Sequence, residues 1–142
     1  MEEIKIERAK KEDWPYIQEK LKDYILDSTN ASWKQFFVAK NKGKTAAFGR
    51  VKDHKKYFEI ASLGVDCCCR GKGIGTKMLL FLTKEAKRQN PEKPIYGISH
   101  KPAFLKKAGF EEVANAPEAL KDKKKRICKL DPANSRIMKL PS

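Results

Sequence analysis

A short glycine-rich segment holds the residues of this sequence whose types and spacing point most directly to chemistry. Residues 70–76 read Arg-Gly-Lys-Gly-Ile-Gly-Thr; an apolar run at 60–65 precedes them, and apolar residues at helical spacing follow. A strand that passes through glycines into a helix presents consecutive backbone N–H groups, and the positive end of the helix dipole, to an anion. Arg70 and Lys72 add positive charge beside these groups. The segment therefore predicts a binding site for a phosphate or pyrophosphate.

Two common nucleotide-binding loops do not fit this segment. A dinucleotide loop requires G-x-G-x-x-G with an acidic residue about 20 residues further on, and a triphosphate loop requires G-x-x-x-x-G-K-[ST]. The sequence has neither pattern at this point. On the seven residues alone, a turn that only joins a strand to a helix fits equally well. The neighbouring sequence is therefore needed to distinguish such a turn from an anion-binding loop.

The flanking sequence resembles the GCN5-related N-acetyltransferase (GNAT) superfamily. Members have an apolar strand ending in Leu-x-Val, a short turn, then [Arg/Gln]-x-x-Gly-x-[Gly/Ala] at the start of a helix, and later a Gly-Phe phrase. The corresponding segments here are 63–65, 70–75 and 109–110, and the resemblance covers about residues 33–114. It implies an α/β (α+β) GNAT fold with a mixed central sheet of six to seven strands flanked by about four helices.

The resemblance also implies direct transfer of an acetyl group from acetyl-CoA to an amine. In the family, the end of the fourth strand holds the thioester carbonyl and the pantetheine arm, and the glycine loop holds the phosphates. Carried over residue by residue, the cofactor-binding positions are Leu63, Gly64, Val65, Arg70, Gly71, Lys72, Gly73, Ile74, Gly75, Thr76 and Phe104. A local bulge at Gly64 or simple relief of packing would each explain a glycine in this strand.

The groups that transfer protons are less clearly marked. Many relatives carry a tyrosine as general acid four residues before the Gly-Phe phrase, whereas this chain has Leu105 there. Glu59 is the first candidate for the catalytic base, because strand alternation places it on the face of Leu63. His100 is the second, because imidazole titrates in the right range. A solvent-facing glutamate and a histidine at a helix start are the simpler interpretations, and His54 is expected to be an ordinary surface residue.

Composition limits the classes of partner. The chain has 142 residues, enough for one domain, and we expect a single GNAT domain over 1–142. Its formal charge of +14 would attract polyanions. The lysines nevertheless occur in pairs and triplets mixed with acids, without the interleaved aromatics of single-strand binders. A solvated surface is the preferred interpretation, and nucleic acid is not an expected partner.

No apolar run approaches the length of a membrane span, and the N-terminus is charged where a secretory signal would be apolar. We therefore expect a cytoplasmic protein that does not interact with a membrane. A monomer or a homodimer would fit the sequence equally well.

Three of the four cysteines are contiguous, at 67–69, and the fourth is Cys128. No pair of spaced Cys-x-x-Cys motifs is present to bind zinc, and adjacent cysteines seldom bridge each other. We expect no metal. The triplet is most simply a variant of a tolerant turn, and a reactive thiol beside the cofactor is the alternative.

Periodicity and turn residues predict the elements that position these groups. Alternation predicts a strand at 4–7, and helical spacing predicts a helix at about 13–26. Further strands are predicted at 36–39, 45–51, 57–65 and 94–99, with a helix from Ile74 to about Gln89 and another within 100–108. The sheet should be antiparallel at first, with helices on its faces.

The end of the chain is predicted to contain a mobile loop at 115–126 and short strands at 127–130 and 136–140. Several of its residues resemble the tail of the N-acetylglutamate synthase branch, with a chance overlap as the alternative: Pro117, Glu118, Cys128, Pro132, Ser135 and Met138. The tail and the missing tyrosine favour an N-acetyltransferase for a small amine such as an amino acid. A protein or peptide acetyltransferase and a non-catalytic CoA-binding sensor are the alternatives.

Overall fold

The computed structural model describes residues 4–99, 101–127 and 135–141. This part of the chain contains seven strands, β1 Ile4–Arg8, β2 Phe36–Asn41, β3 Lys44–Asp53, β4 Phe58–Val65, β5 Ile95–Ser99, β6 Glu111–Glu112 and β7 Arg136–Lys139. It also contains four α-helices, α1 Trp14–Asp23, α2 Ile74–Gln89, α3 Pro102–Lys107 and α4 Glu118–Ile127. Among the described residues, no helix is both long and apolar enough to cross a bilayer.

The strands form one sheet in the order β1-β2-β3-β4-β5-β7-β6. All neighbouring pairs are antiparallel except β4 and β5, which are parallel and are joined through α2. Residues of α2 pack on one face of the sheet and residues of α1 on the other. The predicted mixed α/β GNAT architecture, antiparallel at its start, is confirmed.

Helix α2 forms because its apolar residues recur at helical spacing. Ile74, Met78, Leu79, Leu82 and Ala86 are all buried against the sheet. The helix ends at Gln89, ahead of a proline that could not donate the next backbone hydrogen bond, and the predicted bounds are confirmed.

Helix α1 is shorter than predicted. It ends at Asp23 rather than near residue 26, because Ile25 has a left-handed backbone conformation, with φ +53°, that an α-helix cannot contain. Its buried residues Ile17 and Leu21 pack beside Phe48 of β3.

The predicted loop at 115–126 is wrong, because residues 118–127 form α4. Only one of its side chains, Leu120, is described as fully buried, and it packs with Tyr57, Tyr96 and Ile137. A helix with so few apolar residues gives little periodic signal. The predicted strand at 127–130 is also wrong at Ile127, which ends α4, and its remaining residues lie outside the described part of the chain. The strand predicted at 136–140 is confirmed as β7.

Candidate functional site

An opening between β4 and β5 is the first feature of the site. The two strands pair only at Phe58 with Ile95, Glu59 with Tyr96 and Ile60 with Gly97. Beyond this point β4 continues to its end without a ladder to β5, so the β5-facing backbone groups of residues 61–65 have no strand partner in the described structure. An extended ligand arm can hydrogen-bond to such an edge as an added strand would.

A β-bulge in β4 lies at this opening. Phe48 of β3 pairs with Gly64, whereas Arg50 pairs with Ala61, so β4 contains one extra residue between these pairs. Ser62, within the bulge, has φ +56°, an uncommon and strained conformation for a residue other than glycine. Strain of this kind clusters at functional sites.

The bulge corrects the expectation that Glu59 and Leu63 share a face of β4. Leu63 packs with Phe58 and Ile60 on the α2 side, whereas Glu59 contacts charged residues on the other side. Period-2 alternation fails here because the extra residue moves the side chains that follow it to the opposite face of the strand. Gly64 lies beside the bulge and meets a packing requirement, since a Cβ on it would lie 2.5 Å from Cζ of Phe48.

The glycine loop follows β4 and leads into α2. Gly71 and Gly73 have φ +83° and +78°, with open space where a Cβ would be. Glycine is therefore favoured by the backbone conformation rather than by crowding. The bond from Lys77 N–H to Gly73 C=O, at 3.1 Å, closes the first turn. The N–H groups before it have no intrahelical acceptor and can bind an anion.

Three elements meet at the start of α2. A Cβ on Gly75 would lie 3.2 Å from Cγ2 of Val65 on β4 and 3.5 Å from Cζ of Phe104 on α3. The structure thus brings together the strand, loop and α3 residues that the sequence suggests for the cofactor. Arg70 does more than add charge to the loop: its Nε donates to the carbonyl of Val65 at 3.1 Å, and its guanidinium lies 4.7 Å from the ring centre of Tyr24. Thr76 completes the first turn.

Helix α1 and the residue that follows it are joined to the turn before this loop by two tyrosines that sequence reasoning did not single out as site residues. The Tyr16 hydroxyl donates to the carboxylate of Asp66, and the Tyr24 hydroxyl accepts from the N–H of Cys67 at 3.1 Å. Burial, and then the Asp66 carboxylate, raise the pKa of Tyr16, while the hydrogen bond from Tyr16 lowers the pKa of Asp66. Asp66 also accepts from the N–H of Cys68 at 3.1 Å and so caps the 3₁₀ turn of the cysteine triplet.

A buried group of charges lies on the α1 side of β4. We call it the charge cluster and define it by five residues, Asp27, Arg50, Lys52, Glu59 and Lys123. They come from the segment after α1, from β3, from β4 and from α4. Their distance along the chain explains why the sequence pointed only to Glu59.

Glu59 is 1% exposed and lies within the charge cluster. Its Oε2 accepts a hydrogen bond from Lys123, and its Oε1 lies 3.0 Å from Nε2 of His54 and 3.7 Å from Nζ of Lys52. The solvent-facing alternative for this residue is therefore wrong, and the surface histidine is a partner of the buried carboxylate. The structure thus surrounds the Glu59 carboxylate with three basic side chains.

Asp27 is the second carboxylate of the cluster. Its Oδ2 lies 2.7 Å from Nζ of Lys123, 3.2 Å from Nζ of Lys52 and 3.3 Å from Nη2 of Arg50. Burial alone would raise the pKa of Asp27, but the hydrogen bond and charge of Lys123 outweigh it and hold the pKa well below its ordinary value. The backbone carbonyl of Asp27 also accepts from the hydroxyl of Ser62, so the backbone of this residue is tied to the bulge.

Arg50 is the fixed cation of the cluster. It is fully buried, and its Nε and Nη1 donate to Ser62 Oγ at 2.9 Å and to Gln35 Oε1 at 2.8 Å. Burial lowers the pKa of Arg50, and the charges of Asp27 and Glu59 partly restore it. The guanidinium stays charged because its ordinary pKa is so high.

Of two other predicted positions, one lies in the described structure. Leu105 is buried in the core, where a methyl of its side chain would lie 3.5 Å from a Cβ on Gly97, so no acid occupies the usual tyrosine position. His100, the second candidate base, lies outside the described residues.

Comparison with known proteins agrees with this geometry. The family model of the acetyltransferase (GNAT) domain matches residues 32–112. A search of curated protein sequences gave no match. Among solved structures, N-acetylglutamate synthase from Neisseria gonorrhoeae, complexed with coenzyme A and N-acetyl-glutamate, is similar over 97% of this chain, with a TM-score of 0.76 and 17% identity. The chain spans 35% of that protein's length.

Two further structures are similar over almost their whole length. Rv2747 from Mycobacterium tuberculosis, in complex with CoA and NLQ, gives a TM-score of 0.77 at 19% identity, covering 97% of this chain and 99% of that one. The ribosomal-protein-S18-alanine N-acetyltransferase from Escherichia coli gives 0.69 at 17% identity, with 98% and 94% covered.

The fold and the family match together define the class of this protein as one that contains an acetyltransferase (GNAT) domain. The chain belongs to the GNAT acetyltransferase family.

Proposed function

We propose that this chain transfers the acetyl group of acetyl-CoA to the primary amine of a small molecule such as an amino acid, with Glu59 as the proton acceptor. The observation that carries this proposal is the position of a buried carboxylate on β4, the same strand whose bulged and unpaired end adjoins the glycine loop. The N-acetylglutamate synthase complexed with N-acetyl-glutamate supports an amino-acid acceptor.

Each part of the site has a separate role in this proposal. The N–H groups of the loop and first turn of α2, from Gly71 to Thr76, bind the phosphates of CoA with Arg70 and Lys72 nearby. The free edge of β4 at residues 63–65 pairs with the pantetheine arm. Phe104 lies beside Gly75 and covers the start of that path.

The reaction is a direct displacement. The neutral amine attacks the thioester carbonyl carbon, a C–N bond forms, and the resulting oxyanion is stabilised by backbone N–H groups of β4. Collapse of this intermediate breaks the C–S bond and releases the CoA thiolate. Glu59 accepts the proton that the amine loses. With Leu105 in place of an acid, solvent protonates the thiolate.

A protein or peptide acceptor is the second candidate, favoured by the similarity to the ribosomal-protein-S18-alanine N-acetyltransferase. The test is release of free CoA thiol from acetyl-CoA with amino acids, polyamines and peptides in turn, while CoA binding is measured by calorimetry on the same sample. Thiol release with amino acids supports the proposal. Release only with peptides would replace it with the second candidate, and CoA binding without release would favour a sensor.

A further inference from the structure

The charges of the cluster are unequal in number. Among the described side chains, the two carboxylates, Asp27 and Glu59, contact three cations, Arg50, Lys52 and Lys123. The two cations of β3 are sufficient to neutralise the carboxylates. Removing an ammonium from water costs free energy, and only close contacts with opposite charges and hydrogen-bond acceptors offset this cost. Charge balance is therefore kept when the Lys123 ammonium is exchanged for another ammonium at the same place.

Lys123 also differs from the other two cations because it comes from a helix and not from β3. Arg50 is fixed by hydrogen bonds to Ser62 and Gln35 within the sheet layer. Lys123 instead reaches the carboxylates from α4, where Leu120 is the residue described as fully buried. Its side chain is 12% exposed, and a lysine has a flexible four-carbon stem. Its ammonium can leave the cluster without disturbing the sheet.

The position of this ammonium coincides with the chemistry proposed for the site. Lys123 Nζ hydrogen-bonds to Glu59, the proposed proton acceptor, and lies 2.7 Å from Oδ2 of Asp27. The backbone carbonyl of Asp27 accepts in turn from the hydroxyl of Ser62 at the bulge of β4. A primary amine on an aliphatic chain therefore already lies between two carboxylates, one of them on β4.

We propose that Asp27 and Glu59 form the acceptor subsite for the side-chain ammonium of a lysine-type diamino acid, and that Lys123 occupies this subsite in the free protein. This inference rests on the proposed function and names its acceptor class. The incoming ammonium replaces the Lys123 ammonium, so the charge of the cluster is unchanged. Lys123 acts as an internal competitor of the acceptor.

The same charges disfavour the α-amine of glutamate. An α-ammonium has a carboxylate on the same carbon, so placing it between Asp27 and Glu59 would bring a third carboxylate within a few ångströms of two others. Like charges at such distances repel strongly in a buried site. The side-chain ammonium of lysine is separated from its carboxylate by several methylene groups and avoids this repulsion.

Calorimetric titration of the CoA-saturated protein with L-lysine and with L-glutamate tests the inference. In Lys123→Met, which keeps an aliphatic side chain and leaves the carboxylates balanced, we expect L-lysine to bind at least tenfold more tightly than in the unchanged protein, with glutamate affinity unaltered. Lys121→Met is the matched control, because Lys121 on the same helix pairs with exposed Glu118 at 3.6 Å. It should leave lysine affinity unchanged.

Two further variants keep the result interpretable. Asp27→Asn combined with Lys123→Met should lose the gain in lysine affinity. Lys123→Gln, which still donates hydrogen bonds to the carboxylates but lacks the charge, should show the gain if the methionine variant unfolds. An equal gain for glutamate, or no gain for lysine in either folded variant, would overturn the inference.

Binding and turnover separate this inference from the proposed function. Thiol release with glutamate, together with unchanged lysine affinity in Lys123→Met, would leave the proposed function standing and overturn the lysine subsite. A tenfold gain in lysine affinity without thiol release from any acceptor would support the subsite and contradict the proposed transfer reaction.

Discussion

At the scale of single residues, the site depends on Glu59, a buried carboxylate in contact with Lys123 and His54. Glu59 could be found from sequence because it lies on the strand that leads into the glycine loop. Its partners Asp27 and Lys123 could not, because they are ordinary charged residues until the fold places them beside it. Gly64 was noticed in advance, but only the position of the Phe48 ring shows why it is glycine.

Replacing Glu59 with glutamine should lower kcat for acceptor-dependent thiol release by about 100-fold, a typical loss for a proton-transfer group. CoA affinity should not change, because Glu59 lies outside the glycine loop. Steady-state thiol release and calorimetry on one preparation measure both. Glu111→Gln, at an exposed position of β6, is the control and should keep full activity. Full activity in Glu59→Gln would exclude the residue as the base.

Replacing Gly64 with alanine should destabilise the protein by about 1–3 kcal/mol, because its Cβ would lie 2.5 Å from Cζ of Phe48. Urea unfolding measures the loss. Phe48→Leu in the Gly64→Ala background should recover part of the stability relative to the sum of the two single effects. Strict additivity of the two changes would contradict the packing explanation.

At the scale of elements, a helix or strand could be predicted where its apolar residues recur at regular spacing. Helix α2 and the central strands have many buried apolar residues at regular spacing, so their positions followed from the sequence. Helix α4 was missed because Leu120 is its one buried anchor in the described structure. A local bulge at Gly64 was one of the two explanations that the sequence offered, and the structure has a bulge beside this glycine, but alternation alone gives no sign of an inserted residue. Both features adjoin the charge cluster.

The glycine loop permits a test in which strain and ligand binding are separated. Gly73→Ala should cost about 1–2 kcal/mol of stability, because φ +78° is unfavourable for alanine, and should also weaken CoA binding through distortion of the loop. Gly43→Ala is the matched control, with φ +81° in the turn between β2 and β3 and equally open surroundings. Urea unfolding should show a similar loss in both variants.

Calorimetry should then show weaker CoA binding only in Gly73→Ala. Equal CoA affinity in the two variants would remove the loop from the CoA site.

At the scale of the whole molecule, the site is assembled from parts of the chain that are far apart. The family model covers residues 32–112 and so includes β4, the glycine loop and α2. Asp27 precedes this range and Lys123 follows it. The region proposed to bind CoA is thus the part of the fold that the family shares, and the residues proposed to choose an acceptor lie at its borders.

The pH dependence of stability should follow from Asp27. The folded protein holds its pKa below the ordinary value of about 3.9, so its charge contributes stability that is complete above that value and is lost as the pH falls through the folded pKa. Asp27→Asn should therefore cost roughly 2 kcal/mol at pH 7 and pH 5, and less below about pH 4.

Urea unfolding at pH 7, 5 and 3 measures this difference. Asp122→Asn, at an exposed position of α4, should show no such dependence on pH. A constant difference between Asp27→Asn and the unchanged protein down to pH 3 would contradict the ion pairing of Asp27.

Acetyl transfer is tested most directly by a coupled measurement of free thiol released from acetyl-CoA and of acetylated amine formed, with L-lysine and L-glutamate as separate acceptors. We expect one acetylated amine for each thiol released, faster turnover with lysine, and a loss of both products in Glu59→Gln while CoA still binds. CoA binding without acceptor-dependent thiol release from any amine would contradict acetyl transfer and identify the chain as a binding module.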